Sequence, residues 1–292
     1  MPSSKLDRAI VYQHGGATPR ATSLFEDVLA HAESGAERAE AARRQAIILL
    51  QKAQWGEATR YIEIARDAAV GVDDHDLMGE VLNIEAAILH TQGRHAEAID
   101  IYARITDGPY GHRVRGLAHQ NIGTCHALDR AWEPAELHYQ VSLECFRACN
   151  FVRGVCHALN NLGYARFQQG DVASARDYLA RGIDLAAREG HTDLAALSTL
   201  NRAEVHLAEG ALEAASFDAA CATGFFNTAT DLLRLTDCMR VLGEIAEVRG
   251  DAETARRSYA RGLNIATDAG ARLEADALRA KLEALQAGSV GV

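Results

Sequence analysis

Residues Asn160–Asp171 read NNLGYARFQQGD, and the reading of this stretch decides the fold. It holds two adjacent asparagines, two glycines and two aromatics, but no residue set that performs chemistry by itself. Gly163 has a small partner, Ala175, twelve residues on. The same pairing recurs as Ala46 with Ala58, Ala86 with Ala98, Gly123 with Ala135, Ala203 with Ala215 and Gly243 with Ala255. The first members, at 46, 86, 123, 163, 203 and 243, lie 40, 37, 40, 40 and 40 residues apart. A fixed period of this length marks a repeat architecture.

A turn falls inside each pair. Gly93, Gly170, Gly210 and Gly250 hold one equivalent place, with Ala53 and Arg130 in the other two copies. Glycine suits the residue after a helix because it takes positive φ without a Cβ clash. On both sides of the turn apolar residues recur at three- and four-residue spacing, as in Tyr164 and Phe167 before Gly170 and Tyr178, Leu179, Ile183 and Leu185 after it. That spacing predicts amphipathic helices. Each unit is therefore helix, tight turn, helix, and the small pair lets the two backbones approach closely.

These residues resemble the tetratricopeptide repeats. Leu162-Gly163, Gly170, Ala175 and Leu179 fill the family's places in the best copy. Leu242-Gly243, Gly250, Ala255 and Tyr259 do so in another, and Ile122-Gly123, Ala135 and Tyr139 in a third. The first copy (Gln45, Ala46, Ala53) and the fifth (Arg202, Ala203) depart from the motif. The roughly 40-residue unit is similar to the helix-extended form found in kinesin light chain, cell-polarity adaptors and bacterial peptide-responsive regulators. The resemblance implies an all-α, right-handed α-solenoid of stacked antiparallel helix hairpins.

We expect one solenoid over residues 1–288, with an atypical N-terminal helix pair at 4–38. Repeats start near 39, 79, 116, 156, 196 and 236, a capping helix spans 271–285, and residues 289–292 form a disordered tail. The one short spacing coincides with Thr106–Gly111, TDGPYG, where Gly and Pro predict a loop.

In this family a first-helix Asn before the Leu-Gly pair often faces the concave groove. Asn121, Asn161 and Asn201 hold that place in three consecutive copies. A carboxamide donates and accepts, so it can grip a peptide backbone of any sequence. Neighbouring first-helix positions expected at the groove are Leu117, Gln120, Thr124, His157, Asn160, Tyr164 and Leu197, with Phe167 and Leu200 shared between groove and core. The expected function is a non-enzymatic scaffold or adaptor that binds a peptide segment of a partner. The alternative is a sensor subunit, responsive to a peptide or small molecule and acting through a partner. Some relatives grip a C-terminal carboxylate with basic first-helix residues. Here only Arg43 and Arg44 fit, and the next copy offers Asn83 and Ile84, so that clamp is not supported.

Composition agrees. Of 292 residues, 48% are hydrophobic, which suits a folded chain, while 6% aromatic content and four prolines favour helix. A formal charge of −10 argues against wholesale nucleic-acid binding. Arg104, Arg113, Arg115 and Arg153 leave the middle of the chain near neutral. No stretch has the roughly 18 apolar residues of a membrane span, and the first residues lack the apolar run of a signal peptide. Six Cys without CxxC spacing read as reduced thiols. We expect a cytoplasmic protein with no membrane partner, no cofactor, no metal and no indication of a homo-oligomer. His112, His119, His126, His138 and His157 lie near Cys125, Cys145, Cys149 and Cys156 in sequence, but they are spread over several helices rather than set on a knuckle. No phosphate-loop, nucleophile-elbow or zinc-protease motif is present. Phe225-Phe226 is a candidate contact surface if both rings are exposed.

Overall fold

The computed structural model describes residues 4–14 and 17–289. Among them it contains fifteen α-helices and no strand. The helices are α1 (Lys5–His14), α2 (Thr18–His31), α3 (Gly35–Gln51), α4 (Trp55–Ala69), α5 (His75–Thr91), α6 (His95–Thr106), α7 (His112–Leu128) and α8 (Trp132–Ala148). They continue as α9 (Val152–Gln168), α10 (Val172–Arg188), α11 (Thr192–Ala208), α12 (Leu212–Ala229), α13 (Leu232–Val248), α14 (Ala252–Asp268) and α15 (Arg272–Ser289). Contacts gather into two compact units, divided between Phe151 and Val152. The expected tail begins at Ser289, the last residue of α15; residues 290–292 lie outside the described residues.

Each copy is the expected hairpin. The odd-numbered helices α3 to α13 come first and the even-numbered α4 to α14 return. The first helices begin one turn ahead of the repeat starts read from sequence. Side-chain caps account for several of these starts: Ser34 accepts from Glu37 N–H at 3.1 Å, Asp74 from Asp76 and Leu77, and Asp231 from Arg234. At the hairpin turn Gly170 has φ +83°, and Asp171 N–H bonds back to Arg166 C=O at 2.9 Å. Ala53 and Arg130 adopt the same left-handed conformation at φ 55° and 56°. The TDGPYG segment ends α6 at Thr106, and α7 starts at His112.

In the first unit, Ala46 and Ala58 are fully buried where α3 meets α4, and Ile62, Val81 and Ile88 close over them. The next layer runs from Leu82 and Ala86 of α5 through Tyr102 and Ile105 of α6 to Val114 and Ile122 of α7. Each core thus joins one hairpin to the following first helix, which is why no hairpin buries its apolar face alone. In the second unit Gly163 lies under Leu179, and a Cβ there would stand 2.6 Å from Leu179 Cγ. Leu179 is fully buried, worth about 1.5–3 kcal/mol relative to exposure. A larger core runs from Leu200 and Ala203 of α11 through Ala219 of α12 to Met239 and Ile245 of α13. Phe226 is buried in it and Phe225 packs against it, with ring centroids 5.4 Å apart. The pair is therefore core and not an exposed patch. The exposed aromatic of α12 is Phe217.

Candidate functional site: the first-helix faces

The expected site residues lie on first helices in both units. Leu117, Gln120, Asn121 and Thr124 stand on α7 in the first unit. His157, Asn160, Asn161 and Tyr164 stand on α9, and Leu197 and Asn201 on α11, in the second. All are half-buried except Asn160, which is 4% exposed.

The asparagines bond mainly to one another. In the first unit Asn121 donates through Nδ2 to Asn83 Oδ1 at 3.4 Å, and buried Asn83 donates to Val114 C=O at 3.3 Å. In the second unit Asn160 Oδ1 accepts from Asn201 Nδ2 at 2.9 Å and from Ser198 Oγ at 3.1 Å, while Asn160 Nδ2 donates to Asn161 Oδ1 at 3.3 Å. Asn160 is thus spent inside the protein and presents no surface to a ligand. Its position, three residues before Gly163, turns it toward α11. Asn83 and Ser198 were not singled out from sequence. The signal was available for Asn83, which stands three residues before Ala86 as Asn160 does before Gly163.

Other polar groups complete these faces. Thr124 Oγ1 donates to Gln120 C=O at 3.0 Å, and the Tyr139 hydroxyl reaches Thr124 at 3.5 Å. His157 Nδ1 is buried without a hydrogen-bond partner. Burial, then Arg153 and Arg234, hold the His157 ring below the usual imidazole range against the pull of Asp193. Arg153 forms a two-pronged pair with Asp193 at 2.6 and 3.1 Å. Arg240 of α13 bonds Glu204 of α11 and Glu244.

The first unit holds a groove of about 830 Å³ lined by Leu6 of α1, by α3 and α5 with Asp74, and by Arg113 at the start of α7; none of the expected site residues lines it. Arg43, 8% exposed, bridges Glu40 at 2.6 Å and Glu80 at 2.7 Å. Arg44 also reaches Glu40, and Arg113 reaches Glu80. Burial raises the Glu40 carboxyl, but Arg43 and Arg44 together bring it below the usual range. The arginines considered for a carboxylate clamp are thus already paired with carboxylates. Among the described residues no cluster of three or more His, Cys, Asp or Glu is arranged to hold a metal ion. No described helix is long and apolar enough to cross a membrane.

Stacked antiparallel hairpins, a small-residue contact within each and glycine turns at a near 40-residue period define a helical-repeat protein. The fold is that of the tetratricopeptide-repeat proteins, and the solved structures similar to it include the following three. The apo form of RapI matches with a TM-score of 0.66 at 15% identity, over 89% of this chain and 96% of that one. A Rap protein complexed with competence and sporulation factor matches with a TM-score of 0.64 at 14% identity, over 97% and 84%. A tetratricopeptide repeat protein from Parabacteroides merdae matches with a TM-score of 0.61 at 12% identity, over 97% of both chains. No protein-family model and no curated protein matches the sequence.

Proposed function

We propose that the chain is a non-enzymatic interaction module that takes up a segment of another protein on its first-helix faces. The observation that carries this reading is the set of half-buried carboxamide, apolar and aromatic side chains on first helices, Leu117, Gln120, Asn121 and Thr124 in the first unit; the groove of about 830 Å³ is a separate opening to which none of them contributes. The half-buried row on α9 and α11 extends the reading to the second unit. There His157, Asn161, Tyr164, Leu197 and Asn201 combine apolar and aromatic surface with carboxamides. A carboxamide has four hydrogen-bonding sites, so one internal bond leaves capacity for a peptide backbone. Extended segments bound in this way gain affinity from the backbone and selectivity from side-chain pockets.

A second reading is a regulatory subunit that responds to a bound peptide or small molecule and signals through a partner. It draws support from the Rap protein solved with competence and sporulation factor.

The test is capture of partners from a lysate with the wild-type chain and with Asn121/Asn161/Asn201→Ala as paired baits. Thermal unfolding of both baits controls for the internal bonds of Asn121, Asn161 and Asn201. A protein held by the wild type and lost from a folded variant supports the adaptor reading. Equal capture by both baits refutes these asparagines as binding residues. Ligand-dependent scattering profiles separate the second reading from the first.

A further inference from the structure

Three histidines meet within one hairpin of the first unit. His119 and His126 stand on α7, and His138 stands on α8. The Nδ1 atoms of His119 and His138 are 3.0 Å apart, and their ring centroids 5.3 Å. The His126 ring stacks on His138 with centroids 5.6 Å apart and planes inclined by 27°. All three rings are half-buried. Counted from the small residue of the first helix, the place of His119 is held in the other copies by Ala42, Leu82, Leu159, Thr199 and Met239. Ala42, Leu82, Leu159 and Met239 are buried. An imidazole therefore occupies a position that elsewhere belongs mostly to apolar packing.

A hydrogen bond between two Nδ1 atoms needs one nitrogen that bears a proton and one that does not. Two neutral rings satisfy it. Two imidazoliums cannot, because two N–H groups would then face each other with like charge. We propose that the His119–His138 pair, with His126 stacked on it, is a proton-sensitive clasp that holds α7 to α8 while neutral and releases the hairpin when both rings are protonated.

The surroundings favour the neutral form. Burial is the main influence on His119 and pushes it down to about 4; His138 and Arg115 add to this, and Asp107 at the end of α6 opposes it. Burial and then His126 lower His138. From α5, His90 Nδ1 lies 3.1 Å from Cys125 Sγ on α7, and burial keeps that cysteine a thiol by raising it to about 11. His90 is itself lowered by burial and by His95. Since His119 and His138 are lowered in the fold, the folded chain binds fewer protons than the unfolded chain below the ordinary imidazole value. What the two histidines contribute to the hairpin's stability is therefore present at neutral pH and lost as the pH falls. A ring moved from 6.5 to about 4 weakens the closed state roughly 30-fold at pH 5. The same hairpin presents Leu117, Gln120 and Thr124, and the Tyr139 hydroxyl of α8 reaches Thr124. Release would therefore reshape that first-helix surface. The clasp itself does not depend on what binds there.

The test uses the full chain with labelled histidines, titrated by NMR from pH 7.5 to 4 and assigned through single His→Gln variants. Amide exchange at pH 7.5 and pH 5, corrected for intrinsic rates, is read across residues 112–148 in the wild type and in His119→Leu. The leucine matches Leu82 and Leu159 at the same place. The expected result is midpoints of His119 and His138 below 6.5, with loss of protection at pH 5 in the wild type and retention in His119→Leu. Midpoints at or above 6.5, or the same acid loss in His119→Leu, would overturn the proposal. If His119→Leu does not fold, the same exchange comparison with His138→Gln decides the matter, since that variant too must keep its protection at pH 5.

Discussion

Gly243 of α13 lies beneath the ring of Tyr259 of α14, and replacing it with alanine tests the hairpin register directly. A Cβ at Gly243 would stand 2.7 Å from Tyr259 Cζ and closer still to the near edge of the ring. Carbon atoms settle at about 3.5–4.0 Å, so ring or helix must withdraw by about 1 Å. Tyr259 is fully buried, and its hydroxyl is bonded to Glu247, so the ring cannot swing into solvent. Overpacking of this kind costs about 1–3 kcal/mol. Against it, alanine in a helix interior gains about 0.5–1 kcal/mol over glycine. Ala86 faces Tyr102 in the same register in the second copy, which places the cost toward the lower end. The net expectation is a loss of about 0.5–2 kcal/mol. Gly224 of α12 is the control, since a Cβ there meets nothing within 4 Å, and Gly224→Ala should gain about 0.5–1 kcal/mol. Urea unfolding followed by helical circular dichroism should rank the midpoints Gly243→Ala, wild type, Gly224→Ala in ascending order. In a Tyr259→Ala background the Gly243→Ala step should become stabilising. A Gly243→Ala midpoint above wild type would refute the close approach, and with it the register that the small-residue pairs imply.

Asn160→Ala removes the acceptor shared by Ser198 and Asn201 and leaves Ser198, 1% exposed, without its partner. Thermal unfolding should show a loss of about 1–3 kcal/mol, partly recovered in Asn160→Ala/Ser198→Ala. Arg240→Met takes away the cation that holds Glu204, whose carboxyl burial already pushes above its ordinary value. A raised carboxyl stabilises the fold while protonated and loses that contribution as the pH rises. The deficit of Arg240→Met against wild type should therefore be larger at pH 8 than at pH 5 in parallel urea titrations.

The hairpins were legible in the sequence because their contact needs a small residue on one helix and alanine on the other, a chemical demand with a fixed spacing. The turn after the first helix was legible where glycine occupies it, and Ala53 and Arg130 followed from period alone. A second row of left-handed residues closes the returning helices at Gly71, Asn150, Gly190, Thr230 and Gly270. It was less visible because Asn150 and Thr230 interrupt the glycine pattern. The site was legible only by position. Sequence placed the asparagines on first helices, yet could not tell an amide facing solvent from one facing the next helix. Asn160 and Asn161 are adjacent and differ in this respect. The ion pair of Arg43 with Glu80 was hidden for a related reason, since Glu80 stands on the next first helix and only the stacking of α3 against α5 brings the two together.

The asparagine contacts follow a pairing rule. Asn83 and Asn160 stand three residues before the small residue of their helices, and each accepts from the Asn two residues before it in the next copy, Asn121 and Asn201. One step further along, the corresponding residues are Leu200 and Val241, 2% and 0% exposed and parts of the same core cluster. At these junctions polar meets polar or apolar meets apolar, because an amide set against leucine would be buried without a partner at about 1–3 kcal/mol; the first junction departs from this, with Arg43 and Ile84 in the two places and Arg43 paired with Glu40 and Glu80 instead. Val241→Asn or Leu200→Asn alone should each destabilise the second unit, by the unmet amide added to the lost apolar contact. Leu200→Asn/Val241→Asn should recover part of that loss, with a favourable coupling of about 0.5–1.5 kcal/mol for the bond formed between them. Four-way unfolding measurements on wild type, the two single variants and the double variant give this coupling. Strict additivity would mean that the Asn83–Asn121 and Asn160–Asn201 bonds do not set the fit between successive first helices. A clear coupling would make them register pins, so that only the remaining faces of these amides are left to meet a partner.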